Sequence, residues 1–178
     1  MPSLDVGCGP YHKQGDVGID RLPGPAVDVV HDLNVIPWPL PDARFDRVRC
    51  VDVLEHLAAI VPVMEEIHRV CTAGALVTIQ GPTAGNWHRY TDPTHVRGFG
   101  YRSFDYFVPT SAFGQHYGYS RAAFALTRVR FVKEPGPGLR RVDQLMCWFA
   151  NAYPHLYEAR LAYIYPMDGL HFDLQVIK

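Results

Sequence analysis

A short apolar run that ends in a glycine turn opens the chain. Leu4-Asp5-Val6 stops abruptly at Gly7-Cys8-Gly9-Pro10, which is the pattern of a strand that runs into a tight turn. Glycine at such a turn lets a ligand approach the backbone where a Cβ atom would collide. The chain is therefore predicted to begin with a strand whose carboxyl end lies at a ligand site.

Further short strand patterns follow, separated by turns, loops and two helical patterns. We predict strands over residues 16–20, 26–30, 45–51, 75–79, 124–133 and 172–177. Residues 54–70 are helical in pattern, in two pieces because Pro62 suits the first turn of a helix and not its middle. Residues 142–163 form a second helical pattern. Strands separated by crossovers predict an α/β fold whose parallel sheet is covered on both faces.

Composition predicts a soluble, cytoplasmic chain that forms one domain over residues 1–178. The formal net charge is −1, so no bulk field holds the molecule on nucleic acid or on a membrane surface. The four cysteines stand far apart, which suits a reducing compartment and neither a zinc site nor a disulfide scaffold. Within the domain, residues 81–120 are rich in glycine and aromatic residues and too long for a simple connection, which predicts a substrate-covering insertion. Residues 140–166 are predicted to form a helical cover.

Acidic residues follow the second and third strand patterns. Asp20 can accept two hydrogen bonds from a ribose diol, since an ionised carboxylate is a pure acceptor. A dinucleotide fingerprint would require glycine three positions after Gly9, and His12 stands there, so a pyrophosphate site is not predicted. The alternative is that Asp20 and Asp32 only cap turns.

Several motifs occur in a characteristic order along the chain. The set is Leu4–Gly9, Gly18–Asp20, Asp32–Leu33, Phe45–His56 with its Leu54-Glu55-His56 end, Met64–Val70, Thr91–Arg97 and Ser103–Phe107. In these motifs the chain resembles the class I S-adenosylmethionine-dependent methyltransferases, specifically the small-molecule branch of the methyltransferase type 11 group. The resemblance implies a Rossmann-like, seven-stranded mixed sheet of strand order 3-2-1-4-5-7-6 with the last strand antiparallel.

The resemblance also implies S-adenosylmethionine as the cofactor. Asp20 would hold the ribose hydroxyls, while Asp32 would accept from the adenine amino group and Leu33 would pack on the ring. The cofactor-binding residues implied in this way are Asp5, Gly7, Cys8, Gly9, Asp20, Asp32, Leu33, Cys50, Val51 and Asp52.

Two connections are shorter than that family's crossover helices. Residues 10–15 provide six positions between strands one and two, while a crossover helix needs about ten or more. Residues 21–25 contain two prolines, which excludes a helix between strands two and three. We therefore expect shortened helices and a sheet face that either residues 142–163 or a second subunit covers. The apolar stripe of that helical segment predicts either core packing or a homodimer interface; it consists of Val142, Leu145, Met146, Phe149 and Tyr153.

The candidate catalytic residues are His56, His88, Asp92 and His95. Histidine titrates near working pH, and Asp92 could orient one of the imidazoles. The alternatives are that His56 lies on a helix surface and that Thr91-Asp92-Pro93-Thr94 is only a capped turn. We predict no metal, because His88, Asp92 and His95 lie on an irregular loop without ligand spacing.

The activity implied is methyl transfer to nitrogen or oxygen of a small-molecule acceptor. One alternative is an RNA methyltransferase, although the near-neutral charge makes a nucleic-acid partner an unfavoured choice. It would use the basic residues Arg121, Arg128, Arg130, Lys133, Arg140 and Arg141. These residues also fit a solvated strand edge. A second alternative is a non-catalytic partner subunit that only binds S-adenosylmethionine.

Overall fold

The computed structural model describes residues 2–134 and 140–178, whose strands form one mixed sheet. The strands are β1 (Ser3–Val6), β2 (Val17–Asp20), β3 (Val29–Val30), β4 (Phe45–Val51), β5 (Cys71–Pro82), β6 (Ala123–Val132) and β7 (Gly169–Ile177). They lie in the order β3-β2-β1-β4-β5-β7-β6. Strand β7 is antiparallel to both neighbours, and the other neighbouring pairs are parallel. The α/β fold and this strand order are confirmed.

Helices flank the sheet, and the long helical pattern before β5 folds in two pieces. The helices are α1 (Ile60–Val70), α2 (His88–Thr91), α3 (Ala112–Tyr117), α4 (Arg140–Ala152) and α5 (Pro154–Arg160), with 3₁₀ turns at Leu54–His56 and Asp105–Phe107. Pro62 lies in the first turn of α1, as expected. The helix buries Val63, Met64, Ile67 and Val70 and packs against β5, because these residues recur on one helical face.

The connections between β1, β2 and β3 are extended loops. The described residues between these strands form no helix, so the predicted shortening is complete. Residues 10–16 instead run along β1. The Gln14 N–H donates to Asp5 Oδ2 at 2.6 Å, and the Ser3 N–H donates to Asp16 Oδ2 at 2.8 Å. Backbone hydrogen bonding to two aspartates thus replaces helix packing here.

The predicted helix over residues 142–163 is wrong in its continuity, and this segment is not the cover of strands one to three, which was one of the two alternatives. It is interrupted at Tyr153, because Pro154 lacks an N–H and begins a helix more readily than it continues one; α5 accordingly starts at Pro154. Helix α4 packs against β6, at the opposite sheet edge from β3, so it cannot cover strands one to three. Leu145 is 60% exposed, and the homodimer stays a prediction.

The edge strand β6 carries exposed charge. Arg128 and Arg130 are exposed on it, and an edge strand with charged side chains resists pairing with another chain. This placement fits the strand-edge interpretation of the basic residues. The helices within residues 2–134 and 140–178 are all too short or too polar to cross a membrane.

Candidate active site

The glycine turn after β1 has the left-handed backbone that its sequence predicts. Gly7 has φ +69° and Gly9 has φ +70°, a region that residues with a Cβ rarely adopt. A Cβ atom on Gly7 would lie 2.6 Å from Cβ of Val53 and closer still to its Cγ2. The turn is fixed to β2, since the Gly9 N–H donates to Asp20 Oδ2 at 2.9 Å. Gly7 therefore lets the turn pass against the segment after β4.

A cavity of about 440 Å³ opens beside this turn, at the carboxyl ends of the parallel strands. We call it the first cavity. Its lining includes the predicted residues Gly7, Asp20, Asp32, Leu33, Asp52, His56 and Asp92, together with Arg21, Leu22, Asn34, Val53, Leu57 and Thr94. Residues from five separate segments thus converge where the crevice of an open α/β sheet binds ligands.

Five of the predicted cofactor residues lie outside this lining. Asp5 bonds to the Gln14 amide, and the Cys8 thiol donates to the Ala26 carbonyl at 3.7 Å. Cys50 is fully buried in the core, where burial raises the pKa of its thiol. Gly9 and Val51 also fall outside. A ligand in this cavity would therefore not contact the side chains of Asp5, Cys8 or Cys50.

The two acidic residues predicted to hold a nucleoside have different bonding states. Asp20 Oδ1 accepts from the Leu22 N–H at 2.9 Å, while its Oδ2 accepts from Gly9. A carboxylate offers about four lone-pair sites, so both oxygens can accept further hydrogen bonds. Asp32 Oδ1 accepts from both nitrogens of Asn34. Those bonds hold the pKa of Asp32 below its usual value, which keeps it an ionised acceptor.

Leu33 is held in the first cavity by a buried network behind it. Trp38 Nε1 donates to the Leu33 carbonyl at 3.1 Å, and the Trp38 amide donates to Glu66 Oε2 at 2.8 Å. Arg69 binds the same carboxylate at 2.7 Å. Burial alone would raise the pKa of Glu66, but these bonds outweigh it and the pKa lies below its usual value. An ion pair on α1 thus positions an apolar wall of the cavity.

A second cavity, of about 260 Å³, adjoins the first and shares Asp52 with it. Asp52 has φ +48°, a conformation that aspartate tolerates better than most residues. Burial and nearby Glu134 raise the pKa of Asp52. The second cavity contains the predicted residues His88 and His95. Its other lining residues are Glu55, Gln80, Gly81, Pro82, Val132, Glu134, Asp168, Gly169 and His171.

Glu55, His56 and His95 form a cluster between the two cavities, although His95 is far from the other two in sequence. One ligand-type atom of each residue lies within 4.8 Å of the others, and the two imidazole centroids are 4.5 Å apart. Glu55 is 0% exposed, and burial raises its pKa to about 7. Neither of its carboxylate oxygens has a hydrogen-bond partner in the described part of the chain.

The loop that carries His95 is fastened to the 3₁₀ turn that carries Glu55 and His56. The Val96 N–H donates to the Glu55 carbonyl at 2.9 Å. Arg97 donates to the carbonyls of Leu54, Leu57 and Ala58, at 3.1 Å for Leu54 and 2.8 Å for Ala58. These bonds satisfy carbonyls that the end of a helical turn leaves free, and they bring His95 beside Glu55.

Asp92 orients His56, and it does so through Thr94. The Thr94 hydroxyl donates to Asp92 Oδ1 at 2.7 Å, and His56 Nδ1 lies 2.8 Å from the same hydroxyl oxygen. Because that hydroxyl proton is already given to Asp92, the oxygen accepts from Nδ1–H, and His56 Nε2 carries a free lone pair. Burial and the neighbouring His95 lower the pKa of His56, which favours this neutral form.

Sequence reasoning missed Glu55 and His171 as site residues. Glu55 belongs to the Leu54-Glu55-His56 motif, but nothing in the sequence around it indicates that its carboxylate is buried. His171 lies on β7 and lines the second cavity, since β7 inserts between β5 and β6. The adjacent Glu-His pair was the available signal for Glu55.

Residues 4–79 match a protein-family model described as a methyltransferase domain. The curated proteins contain no match to the chain. Among solved structures, the chain is similar to a SAM-dependent methyltransferase from Archaeoglobus fulgidus, with 16% identity, a TM-score of 0.61 and coverage of 97% of this chain and 85% of that one.

Two further solved structures have the same architecture. A methyltransferase described as putative, from Bacillus halodurans, shares 14% identity at a TM-score of 0.58, with 99% of this chain and 92% of that one covered. The N-methyltransferase NodS from Bradyrhizobium japonicum, in complex with S-adenosylhomocysteine, shares 11% identity at a TM-score of 0.55, with 99% and 78% covered. At such identities these likenesses show the fold.

Proposed function

We propose that this protein is a class I S-adenosylmethionine-dependent methyltransferase that transfers a methyl group to nitrogen or oxygen of a small molecule; its strand order and the methyltransferase-domain match over residues 4–79 support the proposal. The observation that carries the proposal is the pair of adjoining cavities that share Asp52. The first cavity suits the cofactor and the second suits the acceptor. Transfer between two bound molecules requires such adjacent sites.

The residues of the first cavity fit the cofactor. Asp20 has lone pairs left for the two ribose hydroxyls, and both bonds from Asn34 fall on Oδ1 of Asp32, which leaves Oδ2 for the adenine amino group. Leu33 supplies an apolar wall for the ring, and Gly7 also lines the cavity. When bound, S-adenosylmethionine would supply a methyl carbon for in-line attack by the acceptor, with the carbon–sulfur bond breaking and the neutral thioether of S-adenosylhomocysteine leaving.

The second cavity would hold the acceptor and take its proton. A volume of about 260 Å³ is near the lower end of the range of small-molecule sites, which favours a small acceptor over an RNA strand. The lining offers the polar side chains of Gln80 and Glu134 to an acceptor, while Asp168 already accepts from Asn86, Lys133 and the Glu134 N–H. An acceptor amine or hydroxyl must lose one proton when it gains the methyl group, and we assign that proton to His88 or His95.

The proposal is tested by assaying the formation of S-adenosylhomocysteine with a panel of small amines, phenols and carboxylates, and separately with RNA. We expect turnover with at least one small acceptor. We also expect kcat to fall by about 10²- to 10⁴-fold in H88A or H95A, the usual contribution of a proton-transferring group. His12 is exposed and outside both cavities, so H12A is the matched control and should keep wild-type kcat.

Two results would contradict this assignment. If RNA were methylated and no small molecule were, the acceptor site would have to lie outside the second cavity. Cofactor binding with no turnover on any acceptor of the panel would favour the non-catalytic partner subunit instead.

A further inference from the structure

The cluster of Glu55, His56 and His95 contains a buried carboxylate that lacks a partner. A buried ionised carboxylate is costly unless a cation or hydrogen bonds compensate it. Both oxygens of Glu55 lack a hydrogen-bond partner among residues 2–134 and 140–178, and so does buried Nδ1 of His95. Three buried polar atoms without a partner thus belong to two side chains whose ligand-type atoms lie within 4.8 Å of each other.

We propose that Glu55, His56 and His95 form a binding site for a divalent transition-metal ion. One carboxylate oxygen and two imidazole nitrogens are a donor set that such ions take, and three protein ligands leave at least one coordination position open. The ligand-type atoms already lie within 4.8 Å of one another. The sequence predicts no metal on the loop of His88, Asp92 and His95, which has no ligand spacing; the fold brings His95 of that loop to the Glu55-His56 pair.

The bonding around His56 fixes which of its nitrogens can bind a cation. Because the Thr94 hydroxyl donates to Asp92, His56 keeps its proton on Nδ1, donates it to the Thr94 oxygen, and has its Nε2 lone pair free. Metal-bound histidines characteristically donate their other ring N–H to such an oxygen, which holds the tautomer and the ring orientation. Thr94 is thus a positioning residue for the site.

The location of the cluster suggests what the cation does, and this part of the inference depends on the proposed function. His56 lines the first cavity, while Glu55 and His95 line the second. A cation between them would bind an oxygen of the acceptor at its open position. It would stabilise the deprotonated oxygen and so favour a hydroxyl-bearing acceptor, whose proton would go to His88, since His95 would be a ligand.

The test is a titration of the purified protein with Co²⁺ in the absence of cofactor and acceptor. Binding is measured by calorimetry and by visible absorption. The wild type should bind one Co²⁺ per chain with imidazole-type absorption bands. E55Q and H95A should each weaken binding by at least about 100-fold, the upper end of what loss of an outer-shell partner costs. H88A should bind like the wild type, because His88 lines the second cavity but lies outside the cluster.

A pair of variants at Thr94 tests the orienting hydrogen bond. T94V should weaken Co²⁺ binding by about 10- to 100-fold, and T94S, which keeps the hydroxyl, should restore it. Circular dichroism checks the fold of every variant. If H95A does not fold, then E55Q, which has nearly the same shape as the wild type, and the Thr94 pair carry the test.

Three outcomes would overturn the site: no saturable binding by the wild type, unchanged binding by E55Q, or equal loss in H88A. Unchanged binding by E55Q would assign the ion to surface histidines. Because the titration contains no cofactor, its failure would leave the methyltransferase proposal standing, and a failed activity assay would leave the cation site standing.

Discussion

Replacing Gly7 by alanine tests why glycine stands at the turn after β1. The substitution meets two obstacles in the structure. Its φ of +69° is a left-handed conformation, and a Cβ atom there would lie 2.6 Å from Cβ of Val53. Gly9 provides a matched comparison, because it has φ +70° and its Cβ would meet no atom within 4 Å.

The two obstacles have separable magnitudes. A left-handed conformation costs a residue with a Cβ about 1–2 kcal/mol, and crowding a packed site costs a further ~1–3 kcal/mol. G7A should therefore lower the free energy of unfolding by about 2–5 kcal/mol and G9A by about 1–2 kcal/mol. In a chain of this size each kcal/mol shifts Tm by about 2–4 °C, so the two variants should be clearly resolved in thermal unfolding.

A double-mutant cycle with V53G identifies the crowding. Val53→Gly removes the three atoms that lie nearest to the new Cβ, so G7A should cost less in the V53G background, by about 1–3 kcal/mol. G9A should show no such coupling to V53G. Equal destabilisation by G7A in both backgrounds, or by G7A and G9A in the wild type, would refute the argument that Val53 excludes a side chain at position 7.

The remaining predictions concern two residues that hold the walls of the cavities in place, Glu66 and Arg97. E66Q should lower the free energy of unfolding by about 1–3 kcal/mol at neutral pH. Because the pKa of Glu66 is depressed in the folded state, the free energy of unfolding of the wild type should decrease as the pH drops below the ordinary glutamate pKa and through this lower value. In urea titrations at several pH values, E66Q should reduce this pH dependence. E65Q, at an exposed neighbouring position, should leave it unchanged. R97M should lower the free energy of unfolding by about 1.5–3 kcal/mol or more and weaken Co²⁺ binding, because Arg97 fastens the loop of His95; wild-type values for both would contradict that role.

Much of the sheet could be predicted because its signals are local. Strand β4 matches its predicted range of residues 45–51, and β1 matches the run that ends at Gly7. The third strand was predicted over residues 26–30, but only Val29–Val30 pair with β2. Ala26, at the start of that range, is buried without joining the ladder.

The site was only partly predictable, because its key contacts join segments distant in sequence. Asp20, Asp32 and Gly7 follow strands whose carboxyl ends meet at one edge, so their convergence in the first cavity follows from the strand order. The cluster of Glu55 with His95 depends instead on Arg97 reaching the carbonyls after β4. No spacing in the sequence encodes that contact.

Calorimetric titration with S-adenosylhomocysteine tests the central claim most directly. The wild type should bind it, and D20A should weaken binding by at least about 10-fold, since a hydrogen bond to a charged group contributes about 1.5–3 kcal/mol. D28A is the control, because Asp28 also accepts a backbone N–H, from Gly18 at 2.7 Å, but lies outside the first cavity. The account predicts near-wild-type affinity for D28A. It would be contradicted if the wild type did not bind the ligand, or if D20A bound it as tightly as the wild type does.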